Sequence, residues 1–155
     1  MTSTKAAGWA APPGAAPARG GKWWPLAAVS VASFMLLIDV TIVNVALPAI
    51  QSGLHASFAS LEWVVNAYAL TLAAFELTFG SLGDRVGRKW LFIAGIGLFA
   101  AASLGCGLAP TITALDALRA VQGVGGAVMY ANTVALISDN YTGRDRATAF
   151  GVWGR

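Results

Sequence analysis

The sequence predicts an all-α integral membrane fold: four transmembrane helices and the start of a fifth. Three observations predict it. Of the 155 residues, 57% are hydrophobic and only 11% charged, where a soluble domain carries about 25% charged residues. The apolar residues gather into four runs, each near the roughly 20 residues that cross a hydrocarbon core as a helix. The basic residues fall in alternate breaks between those runs. A water-facing globule, a disordered chain and a disulfide scaffold are all excluded by this composition.

The elements follow in order. Residues 1–24 are rich in Ala, Pro and Gly, carry Lys5, Arg19 and Lys22, and read as a flexible cytoplasmic tail. Residues 25–155 read as a partial transmembrane bundle. Its first span covers about 25–50, with Asp39 its only charge. The second covers about 63–83, with Glu76 its only charge. The third, about 90–109, has none, and the fourth, about 112–138, carries Asp116 and Arg119. A further apolar run starts at 147 and reaches 155. Helices are required because lipid offers no partner to an unpaired backbone group. The first run is too long for a cleaved leader, contains an Asp and is followed by further spans, so it is not read as one.

Orientation follows from Lys and Arg. The tail holds three, the break at 51–62 none, the break at 84–89 three, the turn at Pro110 none, and the break at 139–146 two. All eight lie on one side, which the positive-inside rule assigns to the cytoplasm, with the N-terminus. The basic pI is therefore a matter of topology and not of nucleic-acid binding. Trp23, Trp24, Trp63, Trp90 and Tyr141 stand near expected span ends, where amphipathic rings anchor at the interface.

Charges inside the spans are the candidate functional residues. Each costs on the order of 2.5–3.5 kcal/mol at the bilayer centre, a cost that a passive anchor would avoid. Asp39 lies roughly 16 Å and Arg119 roughly 10 Å from the outer face at about 1.5 Å per residue, levels close enough for a long Arg to reach Asp if the helices are neighbours. Low dielectric favours a neutral carboxyl and a nearby guanidinium favours a charged one. A group balanced between the two can bind and release a proton, so proton coupling is the chemistry expected. Asn66, Ala69, Ala73, Glu76, Gly80 and Gly83 share one helical face; its small residues predict close packing, and Glu76 serves either transport or a structural hydrogen bond. In the fourth span Asp116, Arg119, Gly123, Gly126 and Tyr130 fall on a common stripe, edged by Gln122 and Thr133. Asp116, near the outer end, reads as an interfacial charge.

Other chemistries lack their residues. Gly123-Val-Gly125-Gly126 follows no strand and precedes no Lys-Ser/Thr, so it reads as helix packing and not as a phosphate loop. One His (His55) and one Cys (Cys106) form neither a metal site nor a nucleophilic set. No enzyme activity is expected.

The loop Gly80-Ser-Leu-Gly-Asp84-Arg85-Val-Gly87-Arg88-Lys89 combines a basic anchor with an acid and tight-turn glycines. It resembles the G-x-L-x-D-R-x-G-R-K/R motif of the major facilitator superfamily at every fixed position. The first-span string LIDVTIVNVALP resembles the motif of that superfamily's 14-helix drug/proton antiporter branch. Arg119-Ala-Val-Gln122-Gly123-Val-Gly125-Gly126-Ala127 resembles its R-x-x-Q-G-x-G-x-A motif. The resemblance implies that Asp39 takes part in proton or substrate coupling and that Arg119 helps to move the proton. It implies that Asp84 locks the N-terminal against the C-terminal bundle in the outward-facing state, with Arg88 and Asp139 extending the lock as a charge relay. It implies export of lipophilic, often cationic, drugs or antibiotics, with the proton as coupling ion and no other cofactor. Its partners would be the bilayer, the small substrate, and a missing C-terminal bundle or another copy of the chain.

The sequence departs from the pattern where Tyr130-Ala131 replace the Pro that often follows the glycines. The antiporter motif of the fifth span would lie beyond Arg155. The branch has about fourteen spans, so the chain is expected to be an N-terminal fragment that does not transport alone. A self-contained four-helix homodimeric exporter and a non-transporting structural membrane subunit are the alternatives.

Overall fold

The computed structural model describes residues 23–153, so the expected tail lies, but for its last two residues, outside the described residues. Five helices follow one another: α1 (Trp24–Leu54), α2 (Phe58–Val86), α3 (Arg88–Gly107), α4 (Ile112–Asn140) and α5 (Gly143–Trp153). The first four are long and apolar enough to cross a membrane, and the architecture is the all-α one expected.

Local chemistry sets the helix ends. Pro25 sits in the first turn of α1, where its missing N–H costs nothing. His55, in the left-handed conformation at φ 50°, ends α1. Ser57 Oγ accepts from the Ser60 N–H at 3.2 Å and starts α2, and Thr111 Oγ1 does the same for Ala114 at the head of α4. Such caps satisfy first-turn donors that the helix itself leaves unpaired. Because Ser57 caps α2, the break expected at 51–62 shrinks to residues 55–57, and both helices run past their expected ends. Between α2 and α3 a single residue, Gly87 at φ +103°, turns the chain; side chains rarely adopt that backbone.

The centre of the bundle is α4. It lies between α2 and α3, and Gln122, Gly123 and every residue from Gly125 to Met129 are buried. A Cβ on Gly123 would collide with the Tyr68 carbonyl and the Thr71 side chain. One on Gly125 would stand 2.8 Å from the Phe99 backbone nitrogen. The glycines are thus notches that admit α2 on one side and α3 on the other, as small residues do in lipid. The stripe expected on α4 is corrected accordingly. Burial goes nearly all round the helix, and Tyr130, placed on the stripe, is 41% exposed.

Two further expectations change. The packed face of α2 is Leu61, Val64, Tyr68 and Gly83, whereas Asn66, Ala69 and Ala73 are exposed. The gaps in the middle of α4 are made by its own glycines, so α2 meets them with Tyr68 and Thr71 and turns Asn66, Ala69 and Ala73 away, whereas Gly80 and Gly83 of the expected face do approach α4. Tyr141 is not an interfacial anchor. It is 1% exposed, stacks on Trp23 with ring centroids 5.5 Å apart, and its hydroxyl accepts from the Leu26 N–H at 3.3 Å. That N–H belongs to the first turn of α1, so the ring is drawn in by an unpaired backbone donor. Trp24, Trp63 and Trp90 remain exposed. At the other end of the chain α5 meets α1 through Trp153, whose Nε1 donates to Ser33 Oγ at 2.8 Å.

A buried charge cluster as the candidate functional site

In the middle of the helices the structure brings Asp39 and Arg119 together. Arg119 Nη1 donates to Asp39 Oδ2 at 2.7 Å. The Arg119 side chain is 2% exposed and that of Asp39 11%. Three further partners complete the guanidinium's surroundings. Its Nε donates to the Val64 carbonyl on α2 at 3.0 Å, Nη1 also donates to Gln122 Oε1 at 2.8 Å, and Cζ lies 4.4 Å from the centroid of the Tyr68 ring. A carbonyl in mid-helix usually serves its own ladder, so the Val64 oxygen is shared between backbone and guanidinium.

Gln122 ties the cluster shut. Its Nε2 donates to Asp39 Oδ1 at 2.6 Å, so each carboxylate oxygen of Asp39 has its own donor. The Cys106 thiol on α3 reaches Gln122 Oε1 at 3.6 Å. The cluster therefore draws on α1, α2, α3 and α4. Burying a charge in this way is tolerable only when it is paired and its remaining hydrogen-bonding capacity is met.

Gln122, expected to serve packing, is thus a polar partner of the pair, and Cys106 stands at its edge. Val64 and Tyr68 were not anticipated; a backbone carbonyl carries no sequence signal and Tyr68 resembles any core aromatic. Glu76 stays apart: it lies eight residues beyond Tyr68 on α2, about 12 Å along the axis. It is half-buried and has no hydrogen bond or ion pair among the described residues.

A second cluster lies at the α2–α3 turn. Arg88 Nη2 donates to Asp84 Oδ1 at 2.6 Å, and Nη1 to both oxygens of Asp139 at 2.8 Å. Arg88 thereby staples the end of α2 to the end of α4 across the turn that Gly87 permits. Both carboxylates are more than half exposed, which leaves Asp84 open to a further partner. Arg85 and Lys89 are exposed, as are the flanks of the turn. Gly80 approaches Ala131 of α4, and Gly83 lies against the side chain of Asn132. Among the described residues no group of His, Cys, Asp or Glu is arranged to hold a metal ion.

Residues 29–154 match the family model of the Major Facilitator Superfamily. The tetracenomycin C resistance and export protein of Streptomyces glaucescens is 39% identical over 135 residues, covering 87% of this chain and 25% of the relative. The multidrug resistance protein Stp of Mycobacterium tuberculosis is 38% identical over 129 residues, 83% of this chain and 24% of the relative. The puromycin resistance protein pur8 of Streptomyces alboniger is 39% identical over 134 residues, 86% of this chain and 27% of the relative. The chain spans about a quarter of the length of these curated relatives.

Proposed function

The chain belongs to the Major Facilitator Superfamily, and we propose that it supplies the proton-coupling part of an exporter of lipophilic drugs or antibiotics. It is a multi-pass membrane protein akin to multidrug and antibiotic resistance transporters. The observation that carries the finer reading is the Asp39–Arg119 pair, closed at 2.7 Å inside membrane-spanning helices. A charge pair with no partner outside the bundle is an expensive way to hold helices together, since apolar packing does this at less desolvation cost. A carboxylate whose pairing changes with the protein's conformation can take up a proton on one side and release it on the other.

In this reading the chain is of the 14-helix drug/proton antiporter branch, with its N-terminus cytoplasmic. Inward proton flow drives expulsion, and substrate sits between two bundles that rock about the midplane. Arg88, Asp84 and Asp139 hold the cytoplasmic side, Asp84 offering its exposed oxygens to the partner bundle. Asn66, Ala69 and Ala73 face that bundle, and without it the chain does not transport.

Grafting tests the reading. This chain replaces the matching quarter of the tetracenomycin C export protein, and export is measured with and without an uncoupler. Export that the uncoupler abolishes is expected, with a loss of at least tenfold in Asp39→Asn. Undiminished export by the Asp39→Asn chimera would overturn the proposal.

A further inference from the structure

We propose that Gln122 is the positioning residue that lets Asp39 take a proton, by turning its carboxamide over. The inference rests on the proton-coupled reading and concerns how that site works. Its basis is the donor and acceptor count around Asp39. Oδ2 faces Arg119 Nη1 at 2.7 Å and Oδ1 faces Gln122 Nε2 at 2.6 Å. Both oxygens accept, so a hydrogen placed on either one toward its neighbour would meet a donor, although each keeps a second lone pair.

The two neighbours differ in what they can become. A guanidinium has five donors and no acceptor. A proton on Oδ2 would therefore confront a cationic donor that cannot turn away. A carboxamide carries a donor and an acceptor of nearly equal size. Rotation about its last bond exchanges them in place and needs no new space, which matters because Gln122 is 1% exposed. The proton is accordingly accommodated at Oδ1. A hydronium ion reaching the exposed edge of Asp39 gives up a proton and leaves as water, Asp39 becomes a neutral acid, and its O–H donates to Gln122 Oε1.

The turn has two consequences fixed by the same geometry. Oε1 now accepts from Arg119 Nη1 at 2.8 Å and from the Cys106 thiol at 3.6 Å. After the turn Nε2 faces both, donor against donor. Arg119 keeps the Val64 carbonyl and the Tyr68 ring but loses the anion and the amide acceptor together. The Cys106 thiol loses its acceptor. Protonation of α1 is thus passed to α4 and α3 in one movement, and Gln122 makes the two states of the site mutually exclusive.

The titratable and charged groups near Asp39 are Arg119 from α4, Tyr68 from α2 and Cys106 from α3. Asp39 is the only charge on α1, and α5 meets α1 through Trp153 and Ser33. Of these groups the thiol is the reporter, because the sequence holds a single cysteine. Its S–H stretch stands in a clear spectral window and moves with hydrogen bonding.

The test is infrared difference spectroscopy of the whole chain in lipid nanodiscs, stepped from neutral to acid pH. The carboxylic C=O band that is missing in Asp39→Asn reports protonation of Asp39. As that band grows, the S–H stretch is expected to shift to the position of a free thiol, with the same midpoint. In Asp39→Asn the amide donor must face Gln122, so the stretch sits at the free position at every pH. In Gln122→Met it also sits there at every pH, and the pH-dependent shift is lost. A protonated Asp39 with an unmoved S–H stretch in the wild-type chain would overturn the role of Gln122 and leave proton coupling standing. If no Asp39 C=O band forms, the inference and the proton-coupled reading both fail.

Discussion

Arg119 shows how far one side chain can determine a site in an apolar medium. It offers five donors, and α1, α2 and its own helix answer with Asp39, the Val64 carbonyl and Gln122. Removing one member leaves the others buried without their partner. Arg119→Met is expected to cost about 3–5 kcal/mol, read from denaturant unfolding in mixed micelles. Asp39→Leu should cost about as much, because it leaves the cation alone. The double variant should lose less than the sum of the two, since neither charge then remains. Strict additivity would mean that the pair does not interact energetically. The pairing itself was legible in the sequence: Asp39 is the only charge in its apolar run, and Arg119 lies deeper in its own than Asp116 does, at a depth compatible with Asp39. The rest of the site was not. Gln122 sits inside a glycine string that reads as packing, and the Val64 oxygen belongs to the backbone. Tyr141 was misplaced for the converse reason. An aromatic at a span end has the pattern of an anchor, and only the fold shows the unpaired Leu26 N–H that draws it inward.

At the scale of helices, α4 and its glycine notches set the packing of the bundle. Four apolar runs were visible because lipid demands length and hydrophobicity of each span. Which run lies at the centre was hinted only by glycines. The face of α2 was legible only in part: Gly80 and Gly83 approach α4, but Asn66, Ala69 and Ala73 are exposed, since small residues permit close approach on either partner and in mid-span α4 supplies the gap. The glycines differ sharply in what they tolerate. Gly125→Ala drives a methyl against the Phe99 backbone, 2.8 Å from its nitrogen and 3.0 Å from its Cα, and backbone cannot swing aside. We expect a loss of about 1–3 kcal/mol, the usual range for overpacking. Gly97, on the same α3 that Gly125 touches, has no atom within 4 Å of its Cβ position. Gly97→Ala is expected to be neutral or to gain up to about 1 kcal/mol from helix propensity. Unfolding of the two variants side by side checks both; equal losses would show that α3 and α4 are held apart by something other than the glycine contact.

At the scale of the whole molecule the placement of charges predicts which way the bundle faces. The turn at 55–57 and the turn at 108–111 hold no Lys or Arg. The α2–α3 turn is flanked by Arg85, Arg88 and Lys89, and the start of α5 carries Arg144 and Arg146. Four spans of alternating direction put these two groups at the same end. Arg88 is committed to Asp84 and Asp139, whereas Arg85, Lys89, Arg144 and Arg146 are exposed, and the positive-inside rule predicts that they keep this end at the cytoplasmic leaflet. Translocating such a group would cost more than translocating the uncharged turns. We therefore expect Ser57→Cys, in a Cys106→Ala background, to react with a membrane-impermeant maleimide on intact cells. Arg85→Cys and Thr142→Cys should react only after permeabilisation. The opposite pattern would place the Arg88 staple outside, where Asp84 could not serve as a cytoplasmic lock. That inversion would also move Arg119, seven residues after the start of α4, from about 10 Å below the outer face to about 10 Å above the cytoplasmic one, so the proton would have to reach the pair from the side to which export requires it to be released.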